Sequence, residues 1–331
     1  MKKNYFIGID VSKATLDVSI CYENKLVHYQ LIANEPKAIK KGFKELFGHL
    51  KFSKNDCCVL IEYTGIYIFH LTNYLVQAEI ELFVVPALMV KRSLGLVRGK
   101  NDKVDSKRLA LYAFEKYNSL VPHVPPRQVI QELSNIVSLR SRLLKAKHLL
   151  MVAQKENSSF IGEKISRESL KLQNKSIQAL INDIKAVDKK IKEIIASDGL
   201  IHKMYKQITS IEGVGTITAV NVIISTNEFK DIKEPKKFAC YAGVAPFEHS
   251  SGSSIRGKER VSHLANKRMK HILHMAALST LKMKGELKNY FDRKVKEGKN
   301  KMSVINAIRN KIILRIFAVI KQDKIYQKSL V

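Results

Sequence analysis

Tryptophan is absent from this sequence, and cysteine and proline are scarce, at 4 and 7 residues among 331. The cysteines, Cys21, Cys57, Cys58 and Cys240, form no Cys-x-x-Cys pair and no zinc-ligand spacing. That excludes a disulfide framework and a zinc ribbon and points to a reduced, cytoplasmic setting. No apolar run approaches the roughly 20 residues that span a bilayer, and no lipidation signal or long amphipathic anchor is present, so no membrane partner is expected. The start, Met-Lys-Lys-Asn, passes straight into a strand-like run, so no signal peptide is expected. Acid is the other shortage. Asp and Glu number 30 against 58 Lys and Arg, a net charge of +28. An excess of that size is the signature of a polyanion partner. It is uneven: residues 1–64 hold 10 basic and 7 acidic side chains, and residues 256–331 hold 20 and 5.

What is present begins with the run Tyr5-Phe6-Ile7-Gly8-Ile9-Asp10-Val11-Ser12-Lys13. Its β-branched character predicts a strand that buries its middle and delivers Asp10 near its end. A half-buried carboxylate there needs a partner, and a divalent cation is one; the alternative is a surface Asp in a hairpin turn. Further strands are predicted near 15–21, 25–32, 59–61 (ending on Glu62) and 81–85, with helices near 36–50 and 65–78. Three consecutive strands followed by αβαβ match a ribonuclease-H-like α/β sheet. Asp10 and Glu62 both fall at carboxyl ends of strands, where open α/β sheets place their sites.

Residues 91–108 surround Asp102 and Asp105 with basic side chains, among them Arg98 and Lys100. On a helix beginning near Asn101 the two acids share one face; alone, they also read as a helix cap and a solvated surface. From 127 to 205 apolar residues recur at threes and fours, predicting two long amphipathic helices that break near 157–162 and either connect domains or dimerise. Pro122–Pro126 marks the boundary before them. Gly213-Val214-Gly215 resembles a helix-hairpin-helix turn, whose glycines would let backbone amides approach a phosphate; a tight helix–helix turn is the plainer reading. His249-Ser250-Ser251-Gly252-Ser253-Ser254, bordered by Arg256 and Lys258, is expected to be a flexible polar loop. Basic helices are expected after it, through Lys267 and Arg268. The expected domains are 1–122, 123–205 and 206–331: a catalytic α/β domain, a helical or coiled-coil connector, and a mainly α C-terminal domain.

Asp10, Glu62, Asp102 and Asp105 have the order and spacing of an acidic tetrad able to hold two Mg²⁺ ions, with Mn²⁺ as a substitute. Gly-Ile-Asp-Val-Ser-Lys at 8–13, Glu-Tyr-Thr-Gly at 62–65 and Asn-Asp-Lys-Val-Asp-Ser-Lys-Arg-Leu-Ala at 101–110 resemble the DEDD transposases of bacterial insertion sequences. The N-terminal domain of that family is similar to the RuvC resolvase. The glycine turn, Ala-Gly-Val-Ala-Pro at 242–246, the Ser-Ser-Gly loop and the basic helices resemble the family's second domain.

The resemblance implies a site-specific DNA recombinase guided by a structured bridge RNA. A serine of the second domain, matching Ser251 with Ser250 as the adjacent register, would attack donor or target DNA and form a phosphoserine. The tetrad would bind Mg²⁺ beside it, with sites shared between subunits of a homodimer or homotetramer on the bacterial nucleoid. Lys13, Arg98, Lys100, Gly213, Gly215, Arg256, Lys258, Lys267 and Arg268 are the expected nucleic-acid contacts. A glycine that the family carries near position 267 is missing here. Rival readings are a RuvC-like hydrolytic nuclease and a non-enzymatic nucleic-acid-binding protein. An actin-like kinase also opens with Gly-Ile-Asp, but Val-Ser-Lys-Ala does not supply its phosphate loop.

Overall fold

The computed structural model describes residues 3–86, 89–90, 101–161, 163–251, 255–261 and 265–327. Contacts divide the chain into two compact units, 1–125 and 126–331.

In the first unit the strand-like runs become β1 (Tyr5–Val11), β2 (Thr15–Tyr22), β3 (Lys25–Ala33), β4 (Cys57–Glu62) and β5 (Glu81–Val85). Their order in the sheet is β3-β2-β1-β4-β5. β1, β2 and β3 form an antiparallel meander, while β4 and β5 run parallel to β1. That mixed sheet is the ribonuclease-H-like arrangement expected from the strand pattern. Alternation along β1 builds two layers. Ile7, Ile9 and Val11 face α1 (Pro36–Leu50) and α2 (Phe69–Gln77), packing with Ile39, Phe43, Leu46, Leu71 and Leu75. Phe6 and its neighbours Leu60 and Phe83 pack against Leu109, Ala110 and Ala113 of α3 (Asp102–Lys116). The helix expected near 65–78 starts as a 3₁₀ turn, Gly65–Ile68, before α2. The four cysteines are free thiols.

The second unit opens with the two long helices, α4 (Gln128–Phe160) and α5 (Glu163–Ser197). Six more helices follow among the described residues: α6 (Gly199–Thr209), α7 (Thr216–Ser225), α8 (Pro235–Tyr241), α9 (Lys267–Leu281), α10 (Glu286–Lys296) and α11 (Lys301–Gln322). Their core joins Leu133 and Val137 of α4, Ile191 and Ile194 of α5, Ile208, Val220, Leu273 and Ile312. At the head of α4, Arg127 bonds Asp198 at 2.7 Å and Glu228 at 3.0 Å. Glu228 sits in a run of three left-handed residues, Asn227, Glu228 and Phe229, with φ of 48°, 58° and 63°. The charge pairing offsets a backbone that β-carbons disfavour.

The loop expected around 249–258 is different. Its flanks form a β-hairpin, β6 (Pro246–Ser251) against β7 (Ile255–Val261), in which Ser250 pairs with Arg256 and Ser251 with Ile255. Composition suggested a linker because Ser and Gly are poor strand formers; cross-strand pairing overrides that preference. No described helix is long and apolar enough to cross a membrane.

Candidate active site

The site is assembled at the ends of β1 and β4. Ile9 and Ile61 are register partners on these parallel strands, so Asp10 and Glu62 emerge side by side. The other two acids arrive on α3. Asn101 caps that helix by accepting from the Val104 amide at 2.8 Å, which places Asp102 and Asp105 in its first turn. α3 can lie directly on β1 because residue 8 has no side chain. A β-carbon there would stand 2.1 Å from the Ala110 nitrogen and 2.4 Å from the Ser106 oxygen. The docking is pinned by a buried hydroxyl pair, Ser19 and Ser106, 2.8 Å apart.

The result is a concentration of negative charge. The Asp10 carboxyl is pushed up to about 6, first by burial and then by Asp102, Asp105, Glu62 and Asp17. Asp105 is held by Arg108 at 2.8 Å, and Ser12 Oγ donates to Asp102 Oδ2 at 3.5 Å. Among the described residues, no three acids, histidines or cysteines are drawn into a ready-made metal cage. Arg108 competes for one of the four carboxylates. The donor set itself is all carboxylate oxygen, which suits a hard divalent ion, and the raised Asp10 is what such an ion would relieve. Asp10, Glu62, Asp102 and Asp105 are therefore the residues that fit it.

Asp17 escaped the sequence reading. It is the cross-strand partner of Asp10, is 5% exposed, and accepts from the Tyr29 hydroxyl at 2.6 Å. That bond pushes the Tyr29 hydroxyl up to about 12, and the Lys103 ammonium stands 4.3 Å from the Tyr29 ring centre. The signal was there: a tight turn after Val11 makes residues 10 and 17 face each other.

The remaining expected residues are scattered. Lys13 is exposed in the β1–β2 turn. Arg98 and Lys100 lie outside the described residues. Gly213, with φ +77°, faces α9, where a β-carbon would meet Thr280 Cγ2 at 2.4 Å and the Ala276 oxygen at 2.8 Å. Packing accounts for that glycine. Gly215 is exposed at the head of α7 with nothing within 4 Å of a built β-carbon. Ser250, Ser251, Arg256 and Lys258 belong to the β6–β7 hairpin. Lys267 opens α9 in place of the missing glycine, and Asn266 caps that helix by accepting from the Met269 amide at 2.9 Å. Arg268 donates to the Val137 carbonyl of α4 at 3.3 Å.

A sheet of this order with acids at the ends of β1 and β4 defines a ribonuclease-H-like domain. Residues 7–151 match a family model for the IS110 DEDD transposases, described as "Transposase". Residues 205–292 match a second, "Transposase IS116/IS110/IS902 family". The chain thus carries both IS110-family transposase domains, one after the other. It is 25% identical to the pilin gene-inverting protein of Moraxella bovis over 100% of this chain and 99% of that one. It is 24% identical to the transposase for insertion sequence element IS1533 of Leptospira borgpetersenii over 70% of this chain and 72% of the relative. A solved structure of T. thermophilus RuvC with a Holliday junction substrate aligns at 12% identity and TM-score 0.28, covering 36% of this chain and 99% of its own. The fold assignment rests on the strand order and not on that alignment.

Proposed function

We propose that this transposase cuts and rejoins DNA through a serine nucleophile, Ser251, with Ser250 as the alternative register. The observation that supports the reading is that the docking of α3 on Gly8 brings Asp102 and Asp105 to Asp10, which already has Glu62 beside it on β4. The domain division 1–122, 123–205 and 206–331 then acquires roles: acids, connector, and serine with nucleic-acid surface.

In this reaction Ser251 Oγ forms a bond to a backbone phosphorus, one P–O bond to the sugar breaks, the serine proton leaves to a base, and the departing sugar oxygen takes up a proton. A hydroxyl of the strand being joined then attacks the phosphoserine and frees the serine. One or two Mg²⁺ ions at Asp10, Glu62, Asp102 and Asp105 would supply electrostatic stabilisation of the charge developing on phosphate oxygens. The four acids would hold the ions, and Arg108, held by Asp105, would keep a further cation beside that charge. Lys13, Gly215, Arg256, Lys258, Lys267 and Arg268 would meet phosphates. A structured bridge RNA would choose donor and target DNA, and assembly as a homodimer or homotetramer on the bacterial chromosome would bring acids and serine together.

The test is trapping. The purified chain is incubated with Mg²⁺, its element's flanking RNA, and labelled donor and target DNA, then denatured. Label on protein that is lost in Ser251→Ala and kept in Ser250→Ala supports the reading. Cleavage without an adduct in both variants would replace it with a metal-dependent RuvC-like nuclease. DNA binding without processing, unchanged by Asp10→Asn, would leave a non-enzymatic nucleic-acid-binding protein.

A further inference from the structure

The ladder between β1 and β4 stops one residue short of the acids. Its last register pair is Ile9 with Ile61, so pairing fixes the two strands up to Asp10 and Glu62 and not at them. Just beyond, one side chain joins the two segments. Asn34, between β3 and α1, is 8% exposed. Its Nδ2 donates to the Ser12 carbonyl and to the Tyr67 carbonyl, each at 2.9 Å. Ser12 lies in the turn two residues after Asp10, and Tyr67 in the 3₁₀ turn Gly65–Ile68 that follows Glu62.

The amide has a defined orientation. Carbonyl oxygens only accept, so the nitrogen end of Asn34 faces both of them. Its Oδ1 is left buried with no hydrogen-bond partner among the described residues, which is a cost to the fold. The backbone of Asn34 is held as well, its nitrogen donating to the Ala14 carbonyl at 2.9 Å. The Ser12 amide closes the same turn on the Thr15 carbonyl at 2.9 Å. That turn also reaches α3, since Ser12 Oγ donates to Asp102 Oδ2 at 3.5 Å. One buried amide therefore touches, directly or through Ser12, the three segments that carry the acids.

We propose that Asn34 is a positioning residue for the acid site, holding the turn behind Asp10 to the turn behind Glu62 at the separation that a divalent ion bridges. The inference rests on the reading of the four acids as metal ligands. Repulsion between carboxylates on neighbouring strand ends acts to splay those ends where the ladder has stopped. Two hydrogen bonds from one neutral side chain oppose that splay without adding charge to the site. A cationic side chain there would instead pair with the acids and compete with the ion. The described side-chain bonds of Asn34 are both to backbone carbonyls, so it acts on the acids through the main chain.

The experiment measures Mn²⁺ binding to the full chain by electron paramagnetic resonance, with Asp10→Asn as the reference for binding at the acids. Asn34→Leu keeps the volume and removes both donors. Its Mn²⁺ dissociation constant should rise about tenfold, the lower end for loss of a group that orients metal ligands. Asn34→Ser is too short to reach both carbonyls and leaves room for a water; it should behave alike and carries the test if Asn34→Leu does not fold. Ser53→Ala is the control. Ser53 Oγ donates to Asp56 Oδ2 at 2.6 Å beside the opposite end of β4, so this variant should lose stability and keep the wild-type constant. In trapping, the Asn34 variants should need about tenfold more Mg²⁺ for half-maximal adduct and approach the wild-type yield at saturation. An unchanged constant in the folded Asn34 variants overturns the proposal, and so does an equal loss of affinity in Ser53→Ala. Wild-type binding no tighter than that of Asp10→Asn overturns it together with the metal site. Weakened Mn²⁺ binding in the Asn34 variants, with no serine adduct in the wild type, would sink the recombination reading and leave the role of Asn34 standing.

Discussion

A β-carbon on residue 8 would stand 2.1 Å from the backbone nitrogen of Ala110, closer than any side chain can lie. Gly8 and Ala110 thus fix how near the helix carrying two of the acids comes to the strand carrying the first. Gly8→Ala must lift α3 from the sheet. Overpacking of this kind costs about 1–3 kcal/mol, and displacement of catalytic groups by an ångström costs on the order of a hundredfold in rate. Thermal unfolding should therefore show a modest loss, and adduct yield a large one. Wild-type yield in Gly8→Ala would show that the α3 docking does not govern the site.

The buried pair Ser19 and Ser106 predicts an asymmetry. Ser106 Oγ also reaches the Lys103 carbonyl at 3.0 Å, whereas Ser19 has no second side-chain bond among those described. Ser106→Ala orphans Ser19 and should cost about 1–3 kcal/mol. Ser19→Ala leaves Ser106 its carbonyl and should cost less. Urea unfolding of both single variants and the double variant measures the difference.

Asp10 should make the fold sensitive to pH in the direction opposite to most acids. Its folded value, about 6, lies above the unfolded one, so the native state holds the proton more tightly. Stability attributable to it is present below about pH 4 and is lost as pH rises through about 6. Asp10→Asn should then raise stability at pH 8 by about 1–2 kcal/mol, allowing for solvent screening, and hardly at all at pH 4. Mg²⁺ should raise the melting temperature of the wild type at pH 8 and do so much less in Asp10→Asn. Equal Mg²⁺ effects on the two would remove Asp10 from the ligand set.

Arg127 should behave as a keystone of the second unit. Removing it leaves the Glu228 carboxylate, 1% exposed, with only Lys230 at 2.8 Å. Arg127 is itself 37% exposed and Lys230 remains, so Arg127→Ala should cost about 1–3 kcal/mol, the range for leaving a buried polar group short of a partner. Arg127 also holds the Asp198 carboxyl down to about 2. Its contribution is present above about pH 4 and fades as pH falls toward 2. Acid unfolding of the second unit that is unchanged in Asp198→Asn would contradict this.

Local pattern carried much of this protein into view. β-branched alternation located β1 to β5, helical periodicity located α4 and α5, and the three-residue spacing of Asp102 and Asp105 put both on one turn of α3. Those features are legible because each depends on residues close in the chain, whose burial follows the period of the element they occupy. What only the tertiary structure decided lies where distant segments meet. The helix resting on Gly8, the fifth carboxylate Asp17 opposite Asp10, and the use of Gly213 for packing all depend on which backbone arrives overhead. So does the strand pairing of Ser250 and Ser251, residues whose own preference is for a loop. Arg309 is the sharpest case: in sequence it is one basic residue among many on a helix, and only the packing of α9 against α11 strips its water and leaves a buried charge that meets no acid among the described residues.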